Sequence, residues 1–146
     1  MTTRIAAASA ICLALMLSGC SGDSLIRGQL AQTAKETSSV SRSAAVAIGQ
    51  HENDRITSGV LDTALQDVGQ KLGTGAASLT AITAIGGIAA QRDDILSTVR
   101  RAQDVLQDVQ AKLSAGKGDG RALDQERRLL DEAASQLQSA SKKAEG

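Results

Sequence analysis

The sequence predicts an all-α fold: a small antiparallel bundle of three or four helices whose last two form a coiled-coil-like hairpin. Three observations carry that expectation. No proline occurs in the 146 residues, so no fixed φ or missing backbone donor forces a kink. Apolar and small residues recur at three- and four-residue spacing along most of the chain, the period of one helix face. Phe, Tyr and Trp are all absent, which leaves a core of Leu, Ile, Val and Ala and lets helices approach closely.

The first helix is expected over about 25–50, where Ile26, Leu30, Thr33, Thr37, Val40, Ala44 and Ala47 follow that spacing. Its Ser and Thr content predicts a weak stretch between Glu36 and Ser43, because hydroxyl side chains compete for backbone groups. Around residues 49–55 the pattern turns polar, and Asn53 or Asp54 is placed to cap a second helix over 54–72. That helix carries the stripe Ile56, Val60, Leu61, Ala64, Leu65, Val68 and Leu72, and Gly73-Thr74-Gly75 is expected to end it. The pattern leaves open whether the first two helices are continuous.

Between Leu72 and Gln91 the chain carries no charge. Its length suffices for a membrane span, yet four glycines, three threonines and a serine dilute its hydrophobicity. The segment reads first as a buried core helix. The rival reading inserts it into a bilayer, as a permeabilising, lysis or exclusion protein does.

A third helix over 76–114 holds the clearest periodicity: Ile95, Val99, Ala102, Leu106, Val109 and Leu113 alternate at fours and threes, the seam of a coiled coil. Residues 114–120 form a glycine-rich loop with Gly116 where a helix C-terminus favours one. In a fourth helix over 121–143, Leu123, Leu130 and Leu137 recur at sevens among Ala133, Ala134 and Ala140. A loop this short joins antiparallel neighbours, which predicts a hairpin over 92–141. Its seam, Ile95, Val99, Leu106, Val109, Leu113, Leu123, Leu130 and Leu137, is the candidate interaction face for a second copy or a helical protein partner. Asp124 with Arg128 and Glu132, and Asp108 with Lys112, stand at ion-pair spacing on the opposite, solvated face.

At the other end, Arg4, an uncharged run over residues 5–17 and the small-residue exit Ser18-Gly19-Cys20 have the layout of a secretory signal peptide. The run is shorter than the ~20 residues a bilayer span needs. Leu17-Ser18-Gly19-Cys20 resembles the lipobox of bacterial lipoproteins. The resemblance implies diacylglycerol on the Cys20 thiol, cleavage between Gly19 and Cys20, and often a further acyl chain on the new amino terminus. Each buried CH₂ contributes about 0.8 kcal/mol, and two chains anchor stably where one does not. Residues 1–19 are thus expected to be a removed signal peptide, 20–24 a lipidated tether and 25–146 the helical domain.

In double-membraned bacteria aspartate after the lipidated cysteine typically marks retention at the inner membrane. Ser21 at that position implies the outer membrane, facing the periplasm, or in a single-membrane host the outer face of the cytoplasmic membrane.

Composition narrows the remaining classes. Sixteen basic residues balance sixteen acidic ones, and loss of residues 1–19 removes Arg4 and no acid. That balance carries no electrostatic footprint for nucleic acid. Without aromatic rings there are no stacking platforms for bases or sugars. Cys12 is expected to leave with the signal peptide and Cys20 to be acylated, which would leave no pair for a disulfide.

His51 is the sole histidine. The zinc motif that begins His-Glu needs a second histidine where Arg55 stands, so His51 reads as a polar turn or interhelical residue. No serine sits in a glycine-flanked nucleophile elbow. Asp93-Asp94, Asp104 with Asp108, and Asp131-Glu132 read as solvated charges. Gly116-Lys117-Gly118-Asp119-Gly120 lacks the Ser or Thr after lysine that a phosphate loop uses. No enzyme activity, cofactor, metal site or small-molecule substrate is expected. The resulting expectation is an envelope lipoprotein with a structural or protein-interaction role. A further reading, a spacer attached to the cell wall through Lys142 or Lys143, sits poorly with a sequence that runs on to Gly146.

Overall fold

The computed structural model describes residues 22–119 and 121–146. Along them run four helices: α1 (Gly22–Glu52), α2 (Ser58–Ala81), α3 (Gly86–Ser114) and α4 (Asp124–Glu145), with no strand among the described residues. Each helix packs on the next and α4 closes against α1, which makes an antiparallel up-down-up-down bundle. The lipobox residues Leu17, Ser18, Gly19 and Cys20, the cleavage point and the signal peptide lie outside the described residues.

Helix α1 is already formed at the first described residue, Gly22, within the expected tether, and runs through 31 residues. The weak stretch expected between Glu36 and Ser43 is unbroken helix. The hydroxyls of Thr37, Ser41 and Ser43 donate one turn back to the carbonyls of Thr33, Thr37 and Ser39 at 2.8, 2.9 and 3.0 Å, which satisfies them inside the helix. Ser38 instead donates to the carbonyl of Ala134 in α4 at 2.7 Å. Small side chains are buried on both helices: Ala31, Ala34, Ser38, Ser41 and Ala45 on α1, and Ala133, Ala134 and Ser141 on α4. With so little bulk between them the backbones approach closely. As a result α4 packs more extensively on α1 than on α3. The hairpin of the last two helices exists, but its second arm has α1 as its main partner.

Asn53 and Asp54 finish α1 rather than start α2. The Arg55 N–H donates to the Gln50 carbonyl and the Asp54 N–H to the His51 carbonyl, both at 2.9 Å, the paired bonds of a Schellman ending. Asp54 holds the left-handed position, at φ +56°, and the Asn53 amide adds a bond to the Gly49 carbonyl at 2.6 Å. Thr57 is the residue that caps α2, its hydroxyl accepting from the Val60 N–H at 3.4 Å. Because a Cβ is disfavoured at positive φ, Asp54→Gly is expected to stabilise the fold by up to about 1 kcal/mol. A raised urea midpoint with an unchanged slope is the measurement that checks it.

Helix α2 does not stop at Gly73-Thr74-Gly75 but runs on to Ala81. A Cβ on Gly75 would stand 2.5 Å from the Thr37 methyl of α1, so this glycine serves close helix packing rather than termination. Buried Leu72 and Leu79 hold the helix down on either side. The break falls at residues 82–85, where Ile82 and Ile85 are extended and Gly86 takes φ +59°. The uncharged segment 72–91 is therefore two helix ends and a connection, and it sends Leu72, Leu79 and Ile88 into the core. No described helix is long and apolar enough to cross a membrane.

The end of α3 follows its sequence signal closely. The Gly116 N–H donates to the Leu113 carbonyl at 3.0 Å and the Lys117 N–H to that of Lys112 at 2.8 Å, with Gly116 at φ +65°. Leu113 then folds over Gly118, where a Cβ would meet its Cδ2 at 2.5 Å.

Candidate functional surfaces

The structure gathers the predicted seam, but it does so inside the bundle. Ile95, Val99, Leu106, Val109, Leu123, Leu130 and Leu137 are each no more than 3% exposed, and Leu113 is half-buried. These residues share one continuous core with Leu30 and Ile48 of α1 and with Leu61, Leu65, Leu72 and Leu79 of α2. The chain's own first two helices thus cover the face expected to meet a partner. An apolar stripe says that something must cover it, and here that cover is internal.

A polar clasp joins the two connections at the far end of the bundle from Gly22. The Arg127 Nε donates to Glu52 Oε2 at 3.0 Å, and a second nitrogen of the same guanidinium donates to Asp124. Arg128 adds a longer contact to Asp124 at 3.7 Å. This ties the last turn of α1 to the first turn of α4. Lys112 reaches Glu126 at 2.6 Å and the Ala122 carbonyl at 3.3 Å. Its ion pair is therefore with buried Glu126 rather than with Asp108, because Lys112 lies beside the loop that turns into α4.

The hydrogen bond from Arg127 holds the Asp124 carboxyl below its ordinary value of 3.8, against a smaller opposing effect of burial. Asp124 and Glu52 in turn hold the Arg127 proton more tightly than usual. A carboxyl lowered in the folded state contributes stability that is fully present above its ordinary pKa and is lost as pH falls through the folded value. The melting-temperature gap between wild type and Asp124→Asn is accordingly expected to close as pH is lowered below about 3.8.

His51 is buried in the last turn of α1, and its Nδ1 lies 3.1 Å from the Ile56 carbonyl. A proton on Nδ1 donates across the α1–α2 turn, so the side chain braces that turn. The carboxylates Asp93, Asp94, Asp104, Asp108, Asp131 and Glu132 all lie on exposed helix surface. Among the described residues no three histidine, cysteine or acidic side chains converge as a metal site would require. A groove of about 1080 Å³ runs along α3 and α4, lined by Arg27, Asp94, Arg101, Glu132, Gln136 and Lys143 among others.

The opposite end, where α1 starts, has a different character. Leu25, Ile26, Ala81, Ile82 and Thr83 line one hollow. Leu25 is 66% exposed and Ile85 is 84% exposed. Arg92 donates to the Ile82 carbonyl at 2.8 Å and pairs with Asp93 at 2.8 Å, which fixes the α2–α3 connection. Sequence reasoning missed this tip because residues 72–91 read as one uncharged unit. The signal that marks it is an isoleucine standing directly before the pair Gly86-Gly87. No protein family, characterised protein or solved structure matches this chain.

Proposed function

We propose that the chain is a lipid-anchored protein of the bacterial cell envelope, held by an acylated Cys20, in which the four-helix body has a structural or protein-interaction role. The observation that carries this is Leu17-Ser18-Gly19-Cys20 at the end of a correctly placed apolar run. The helical body is compatible with it, since the chain is already helical two residues past the anchor. Ser21 directs the protein to the outer membrane, facing the periplasm, where the host has one, and otherwise to the outer face of the cytoplasmic membrane. With the seam closed inside the core, a second copy or a helical partner meets the bundle through its exposed helix faces.

Metabolic palmitate labelling of wild type against Cys20→Ser tests the reading. Wild type is expected to carry label and to sediment with membranes, and the variant to lose both. Label persisting in the variant contradicts the proposal.

A further inference from the structure

We propose that the end of the bundle formed by the first turn of α1 and the α2–α3 connection seats in the boundary between headgroups and acyl chains of the anchoring bilayer, with Ile85 and Leu25 inserted. The body then stands end-on to the membrane. The inference rests on the lipid-anchored reading above.

Tether length is the first support. Gly22 already belongs to α1, and a position two residues away in sequence is at most roughly 7 Å distant. An acylated Cys20 therefore keeps the first turn of α1 at the bilayer surface. Topology is the second. The α2–α3 connection lies at this same end, since Leu25 and Ile26 share a hollow with Ile82 and Thr83.

Exposure is the third. Large apolar side chains exposed among the described residues are Leu25, Val46, Val60, Ile85 and Leu129, and the two most exposed, Ile85 and Leu25, both belong to this end. The Arg92 bond to the Ile82 carbonyl presents Ile85 on a fixed turn. Around the tip, Arg27 and Arg92 are offset by Asp23 and Asp93, and Arg92 and Asp93, both on α3, pair with each other at 2.8 Å. The contact is therefore apolar rather than electrostatic, and neither salt nor the fraction of anionic lipid alters it.

The test uses the processed, acylated protein in vesicles of phosphatidylethanolamine and phosphatidylglycerol. Ile85→Cys, Leu25→Cys and, at the far end, Lys117→Cys each carry an environment-sensitive nitrobenzoxadiazole label. All three sites are exposed, and helical circular dichroism confirms that each variant is folded. Labels at 85 and 25 are expected to emit as in an apolar medium and to be quenched by spin-labelled lipid several-fold more strongly than the label at 117, equally at low and high salt. Aqueous emission at 85 and 25 from acylated, vesicle-bound protein overturns the docking and leaves the anchor standing. Apolar emission without lipid quenching, or crosslinking of copies through position 85, assigns the tip to a protein and also overturns it. A processed chain whose mass shows no acyl group overturns the anchored reading and the docking together.

Discussion

Leu137→Ala is expected to lower the melting temperature by about 8–20 °C. Leu137 is fully buried in the middle of α4, and truncating such a leucine costs roughly 2–5 kcal/mol through lost burial and the cavity left behind. For a domain of this size each kcal/mol corresponds to about 4 °C. The loss is large against the roughly 5–15 kcal/mol that holds a typical domain together, and the all-aliphatic core has no ring to fill the gap. Differential scanning calorimetry decides the matter. If Leu137 belonged to an outward-facing seam, the variant would melt with wild type and lose only partner binding.

Ala134→Leu is expected to destabilise by a further distinct route, about 1–3 kcal/mol from overpacking. Ala134 is fully buried, and its carbonyl accepts the Ser38 hydroxyl of α1 at 2.7 Å. With no exposed surface at Ala134 there is no room for three more carbon atoms, so α4 must tilt or α1 must shift. A lowered urea midpoint together with loss of slow amide exchange in both α1 and α4 is the expected readout. An unchanged midpoint would mean that α4 leans on α3 instead and that the small residues of α1 are incidental.

The fold class was legible because it depends on local features. Helical periodicity, the absence of proline and the glycine at 116 each act within a few residues, and the structure follows all three. What periodicity does not encode is which helix covers which stripe. Val60 lies on the predicted stripe of α2 yet is 53% exposed, while Ser38 and Ser41, polar by type, are buried, Ser38 against α4. Gly75 reads as a helix terminator in isolation, and only the nearness of Thr37 shows why it is tolerated mid-helix. Asp54 was legible as a cap, but on the wrong helix, because a polar residue between two helices can serve either one and tertiary geometry chooses. The candidate surfaces divide in the same way. The seam residues are apolar and periodic, and their burial follows from α1 and α2, which no pattern within residues 92–141 contains. Ile85 was passed over because its exposure comes from a chain reversal that hydropathy alone does not register.

An even number of helices has a mechanical consequence. The 31 residues of α1 give a rod about 46 Å long at 1.5 Å per residue, yet α4 runs back along it only as far as Lys35, which shares a hollow with Lys142 and Glu145. A strut fastened through its first and last turns would therefore bridge only about 20 Å, less than half the rod. Whatever reach the molecule has belongs to the turns at 53–57 and 115–123, and an epitope or fusion partner grafted near Lys117 would be carried the full rod length away from Gly22.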